Sequence, residues 1–375
     1  MKKNQRPGVD PMKLANLTLI VTDDCNYHCS YCFQKKQKNY LNHEIIKRAV
    51  DFFYPFFIED GDVYIVFYGG EPLLAFGQIE YAVSLIRKKN KVGRKKIIFS
   101  LTTNGSPVTE KMLRYLNAHR FSVMLSCDGL AQDISRKPGT MLQMQELIGQ
   151  FLSPAYSGIK FSSNSVFTPA TIPRFFESLR YIIELGVPEV QFSFNTIEPW
   201  NRSALTILEK ELKKMADYLL CLYKDKGTIP VVNYRNAKSS PGKGFFCSAG
   251  RDRISVSPNG DVHGCFLFHD YLTGKEASED YRNYSFGKLD HFIKHFDSVY
   301  PAIIENYSIL RQSSFFSDEQ FCFLCDAVKE CRVCPVIAAH STSFIGKIPT
   351  RICTLNRIKE REKKKFHETK ENLHA

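Results

Sequence analysis

From Leu17 to about Asn195, short runs rich in β-branched and aromatic residues alternate with longer stretches whose apolar positions recur every three or four residues. The runs predict strands over Leu17–Thr22, Val63–Tyr68, Ile97–Thr103, Phe121–Cys127, Ile159–Val166 and Val190–Asn195. Helical periodicity covers His43–Phe57, Phe76–Lys89, Glu110–His119, Thr140–Leu152 and Ile172–Leu185. Strands separated by helices pair in parallel through right-handed crossovers, so the pattern predicts an α/β chain whose parallel sheet is either open or curled into a partial (β/α)6 barrel. A closed eightfold barrel would need further units, and the pattern changes before they arrive.

A long helix over about Ala204–Asp225 leads into a polar, Gly- and Pro-containing connection at Asn236–Gly244, where a domain boundary is expected. The division that follows is a lead-in over 1–16, the barrel over 17–235, a small cysteine-rich domain over 236–356 and a basic tail over 357–375. Beyond the boundary the strand and helix signals weaken while cysteines become dense. That is the character of a small domain pinned by metal rather than by a large core.

Charge changes this picture little. Lys and Arg number 51 against 39 Asp and Glu, a net charge of +12, with the excess concentrated in Arg87–Lys96 and Arg357–Lys365. Such runs read first as solvated helix faces or frayed ends. No nucleic-acid-binding motif accompanies them, so no nucleic acid is expected. No apolar run has membrane-spanning length and the first residues carry no apolar signal core, which makes a cytoplasmic protein without a membrane partner the expectation.

The cysteines change it more. There are twelve, and in a reducing compartment they point to metal or redox chemistry rather than disulfides. Cys127 and Cys221 stand alone and read as small core residues. Cys25, Cys29 and Cys32 follow the first strand at CX3CX2C spacing, on a loop. Three thiolates so placed can hold three irons of a 4Fe-4S cube and leave the fourth iron open. A zinc knuckle is the competing reading, but three close cysteines lack zinc's usual fourth ligand.

Small polar clusters fall at the same end of the later strands. They are Gly69-Gly70-Glu71 after the second, Thr103-Asn104-Gly105 after the third, Ser126-Cys127-Asp128 after the fourth, and Asn164 with Thr168 on the fifth. In parallel α/β architecture that rim is where ligands bind. Further on, Cys247 and Cys265 flank a hairpin with an Asn259-Gly260 turn, followed by Cys322, Cys325, Cys331, Cys334 and Cys353. Paired CX2C units also suit a zinc ribbon, although the five residues between the two pairs are few for one.

On these motifs, from about Leu17 to Cys353, the chain resembles the radical S-adenosylmethionine (SAM) enzymes of the SPASM-domain group. One spacing departs from the pattern: Cys331 and Cys334 are separated by two residues where the group has three. The resemblance implies a radical SAM [4Fe-4S] cluster on Cys25, Cys29 and Cys32. It implies one auxiliary [4Fe-4S] cluster on Cys322, Cys325, Cys331 and Cys353, and another on Cys247, Cys265 and Cys334 with one position left for a different ligand. Gly69, Gly70, Glu71, Asn104, Ser126, Asp128, Arg136 and Asn164 become candidate SAM contacts.

The activity so implied is hydrogen abstraction by a 5′-deoxyadenosyl radical and oxidative modification of a peptide or protein substrate, as a thioether- or carbon–carbon-forming maturase. The expected partners are that substrate, a low-potential electron donor and a separate leader-peptide-binding protein. The alternatives are an anaerobic sulfatase maturase, a small-cofactor tailoring enzyme, and a non-catalytic iron–sulfur or zinc scaffold. Sulfatase maturases place an Asp directly after the cysteine that closes the hairpin. Here Cys265 is followed by Phe266, which cannot act as a base, and sulfatase maturation is set aside on that ground.

Because the cysteine sets are separate in sequence, replacing Cys25, Cys29 and Cys32 together by Ala is expected to abolish SAM cleavage while iron remains bound by the C-terminal cysteines. Iron content and 5′-deoxyadenosine formation of the folded variant check this.

Overall fold

The computed structural model describes residues 12–235, 247–310, 322–325, 328, 331, 333–343, 345–346 and 348–373. The proposed boundary at Asn236–Gly244 lies outside the described residues.

All six predicted strands form: β1 (Asn16–Thr22), β2 (Asp62–Gly69), β3 (Lys96–Thr103), β4 (Ser122–Ser126), β5 (Lys160–Phe167) and β6 (Val190–Phe194). Each pairs in parallel with the next. The helices that connect them are α1 (His43–Phe53), α2 (Phe76–Gly93), α3 (Glu110–Ala118), the single turn α4 (Gln132–Ser135), α5 (Met141–Phe151) and α6 (Phe175–Glu184). Their apolar stripes explain their docking. In α1, Ile46, Ala49, Val50 and Phe53 are buried, and Asn42 caps the helix by accepting from Ile45 N at 2.8 Å.

Strand β1 is buried along nearly its whole length, since it is covered on both faces and paired on both edges. Its second neighbour comes from the C-terminal half. β7 (Arg253–Val256) pairs with it in parallel, β8 (Asp261–His263) returns antiparallel, and β9 (Ser285–Lys288) adds the outer edge. Among the described residues the sheet order is β6-β5-β4-β3-β2-β1-β7-β8-β9. The architecture is thus a partial α/β barrel with a mixed sheet. The expected hairpin is β7–β8, where Gly260 at φ +77° ends the turn and donates to Ser257 O at 2.9 Å.

Much of the C-terminal helical structure escaped the sequence pattern: α8 (Phe266–Leu272), α9 (Glu279–Tyr284), α10 (Leu289–Lys294), α11 (Phe296–Ile309), α12 (Pro335–Thr342) and α13 (Thr350–Asn372). The basic run at 357–365 is part of α13. That helix packs on α7 (Arg202–Lys226), with Phe366 buried 5.0 Å from the Tyr234 ring and Arg361 paired to Glu209 at 2.6 Å. No helix among the described residues is long and apolar enough to cross a membrane.

One expectation needs correction. Cys127 is fully buried, but Cys221 is exposed. The buried stripe of α7 runs through Ala204, Leu208, Glu211, Leu212, Met215, Ala216 and Leu219. Two residues past Leu219 is a little over half a turn of the helix, so position 221 faces away from the core.

Helix α7 begins at Asn201, whose side chain accepts from Ala204 N at 2.8 Å. Asn201→Ala is expected to lower stability by about 1 kcal/mol, read as a shifted unfolding midpoint.

Candidate active site

The carboxyl ends of β1–β6 converge on a cavity of about 370 Å³. Its walls carry Cys25, Cys29 and Cys32 from the loop after β1, Gly69 and Gly70 after β2, Asn104 after β3, Ser126 on β4 and Asn164 on β5. Arg136 after α4 and Asn195 after β6 complete the barrel's share, and Ile337 on α12 contributes from the C-terminal half.

Two backbones meet at the floor. Gly70 N donates to Thr22 O at 3.0 Å and Glu71 N to Asp24 O at 2.8 Å. A Cβ on Gly69, which has φ +144°, would lie 1.9 Å from Thr22 O, and one on Gly70 would lie 2.3 Å from Asp24 O. Only glycine permits this approach. The cysteine loop therefore starts from a point fixed against β2.

Glu71 and Asp128 stand behind the wall rather than on it. Glu71 is fully buried and accepts from Leu73 N at 3.1 Å, Thr103 Oγ1 at 2.6 Å and Asn104 N at 2.6 Å. Burial pushes its carboxyl up to about 7 in spite of these bonds. Asp128 is likewise saturated: it accepts from Tyr31 Oη at 2.9 Å, Ser135 Oγ at 2.6 Å, Arg136 Nη2 at 2.9 Å and Val166 N at 2.8 Å. Both carboxylates position wall residues.

Arg136, in contrast, reaches the cavity. Burial alone would lower its pKa, but Asp128 overrides this and holds it charged. Its buried Nε has no partner among the described residues.

The thiols of Cys25 and Cys29 are pushed up by burial. Among the described residues no three His, Cys, Asp or Glu side chains converge at metal-binding spacing. The donor set nevertheless fits the implied group: three thiols on one loop line a cavity of small-molecule size, beside a buried, unpartnered guanidinium nitrogen.

The C-terminal cysteines fall into two neighbourhoods. Burial raises Cys265, and the nearby Cys334 and Cys247 raise it further. Burial pushes Cys331 up to about 11, and the nearby Cys353, Cys322 and Cys325 raise it further.

Several site residues had no signal in the sequence. Tyr68, the last residue before Gly69-Gly70, lines the cavity and donates from Oη to Asp270 Oδ2 at 2.9 Å. Gln34 donates to Tyr68 Oη at 2.9 Å and to Asp270 Oδ1 at 3.2 Å. The Phe266 ring lies 4.1 Å from that of Tyr68. Burial pushes the Asp270 carboxyl up to about 6, against the pull of His269, Tyr68 and Gln34. Asp270 sits on α8, a helix the periodicity did not reveal.

Comparison with known proteins agrees with this geometry. Residues 19–149 match the radical SAM superfamily model. That segment of the chain is similar to the radical SAM superfamily. An uncharacterized protein of Methanocaldococcus jannaschii is 29% identical over 263 residues, 68% of this chain and 86% of that one. The cysteine-type anaerobic sulfatase-maturating enzyme of Clostridium perfringens is 31% identical over 128 residues, which is 30% of this chain and 33% of that enzyme. The solved structure of anSMEcpe with bound AdoMet shares the fold at a TM-score of 0.74 and 19% identity, covering 95% of this chain and 99% of that one.

Gly70→Ala is expected to destabilise the protein by about 1–3 kcal/mol and to abolish SAM binding, because the new methyl group must push β2 away from the cysteine loop. Thermal unfolding and equilibrium binding of SAM check the two effects.

Proposed function

We propose that the protein is a radical SAM maturase that oxidises a side chain of a peptide or protein substrate, with oxidation of a single Cys or Ser residue, as in sulfatase maturation, the best-supported product class. The carrying observation is the hydrogen-bonded chain from the cavity through Tyr68 to Asp270. A Cys or Ser side chain that is oxidised must shed a proton, and a buried carboxylate pushed up to about 6 is suited to receive it. The absence of an acid directly after Cys265 argued against sulfatase maturation in the sequence. Asp270 answers that objection, because α8 brings a carboxylate from a later position to Tyr68 and Gln34 of the cavity wall. The match to the Clostridium perfringens enzyme supports the same reading over a crosslinking maturase.

Cys25, Cys29 and Cys32 would hold the radical SAM cluster, and Gly69, Gly70, Asn104, Ser126, Arg136 and Asn164 would surround SAM, with Glu71 and Asp128 as their supports. SAM and a reduced cluster supply one-electron hydrogen abstraction when bound. Cys247, Cys265 and Cys334 would hold one auxiliary cluster and Cys322, Cys325, Cys331 and Cys353 another, as acceptors for the second electron of an oxidation. A low-potential electron donor completes the set of partners, and a reducing compartment such as the cytoplasm suits so many free thiols.

Anaerobic incubation with SAM, a reductant and a peptide bearing a sulfatase-type cysteine is expected to yield 5′-deoxyadenosine and a formylglycine peptide. Asp270→Asn is expected to lower peptide conversion by about 10²–10⁴-fold. Mass spectrometry reads both. A thioether or carbon–carbon crosslink in the peptide would return the assignment to a crosslinking maturase.

A further inference from the structure

Two cations line the cavity that holds the cysteine loop, Arg136 and Lys36. They differ in what they face. Arg136 is paired with the Asp128 carboxylate at 2.9 Å. Lys36 donates from Nζ to the backbone carbonyl of Tyr27, which lies in the chain between Cys25 and Cys29. A neutral carbonyl fixes the position of an ammonium without cancelling its charge.

That charge bears on the thiols. Lys36 lines the same cavity as Cys25, Cys29 and Cys32, and the carbonyl that holds it belongs to the residue midway between the first two in the chain. Around the loop, then, the fold sets two buried acids and three half-buried thiols against one paired guanidinium and one ammonium with a neutral partner. The reduction potential of an iron–sulfur cluster follows the net charge, hydrogen bonding and solvent exposure around it. A positive charge held nearby favours the state with one more electron.

We infer that Lys36 is a charge-compensating residue of the site: pinned to the Tyr27 carbonyl, its ammonium offsets the thiolates of Cys25, Cys29 and Cys32 when they carry the cluster and makes that cluster easier to reduce. The step concerned is the entry of one electron from a low-potential one-electron donor. No bond to Lys36 forms or breaks. The inference rests on the radical SAM reading of the three cysteines and is independent of the substrate.

The test is a potentiometric titration of the anaerobically reconstituted full-length protein, followed by electron paramagnetic resonance. The signal that changes on addition of SAM identifies the cluster on Cys25, Cys29 and Cys32. Lys36→Arg keeps both charge and donor, Lys36→Gln keeps a donor without the charge, and Lys36→Met keeps neither. The midpoint potential is expected to stay at the wild-type value in Lys36→Arg and to move to more negative values in Lys36→Gln and Lys36→Met. Either neutral variant suffices if the other fails to load iron. A wild-type potential in the neutral variants would overturn the inference, and for Lys36→Gln would leave Lys36 with only a loop-pinning role. Absence of any SAM-responsive signal in the wild-type protein would overturn the radical SAM reading itself and this inference with it.

Discussion

The site depends on the contact between the end of β2 and the start of the cysteine loop. Gly70 N and Glu71 N donate across to Thr22 O and Asp24 O, and the two glycines leave room for nothing larger than hydrogen between the chains. The Glu71 side chain then ties the same junction to β3 through Thr103 and Asn104. Three consecutive parallel strands are thereby locked at the end where the thiols emerge. A loop that must present three donors with a fixed relation to a bound cofactor needs such an anchor, because loop residues have little packing of their own.

Buried polar groups extend this anchoring around the cavity. Asp128 holds Tyr31, Ser135, Arg136 and the backbone of β5 at once, and its four accepted bonds satisfy the capacity of a carboxylate. Inside a protein such saturated groups are rigid, since each lost bond would leave a buried charge uncompensated. The two acids of the rim that do not reach the cavity thus act through the residues that do.

The cysteine-rich half is not an appendage to the barrel. β7 continues the sheet beside β1, α8 sends Asp270 to Tyr68 and Gln34, and α12 places Ile337 on the cavity wall. His269, also on α8, pairs with Asp23 at 2.8 Å in a buried contact just ahead of the cysteine loop. Seating of the C-terminal half and shape of the cavity are therefore coupled through the same few residues.

Much of this was legible in the chain itself. Strands β1–β6 follow from apolar runs of strand length, their parallel order from the helices between them, and the site's end of the sheet from Gly69-Gly70, Asn104 and Ser126 all falling after or at the ends of strands. Cysteine spacing alone pointed to the chemistry, because three thiols within one loop need no distant partner to be recognised. What tertiary structure decided are the contacts between segments far apart in sequence. Whether Glu71 and Asp128 face the cavity or stand behind it depends on which donors Thr103, Asn104 and Tyr31 bring to them. Cys221 is exposed because of the rotation of α7 against the barrel. Asp270 joins Tyr68 across 202 residues of chain, on a short helix with no periodicity of its own to announce it. Local pattern encodes elements and nearby ligands; the partners of a buried polar group are set only when distant elements pack, since hydrogen bonding requires an approach that sequence proximity does not supply.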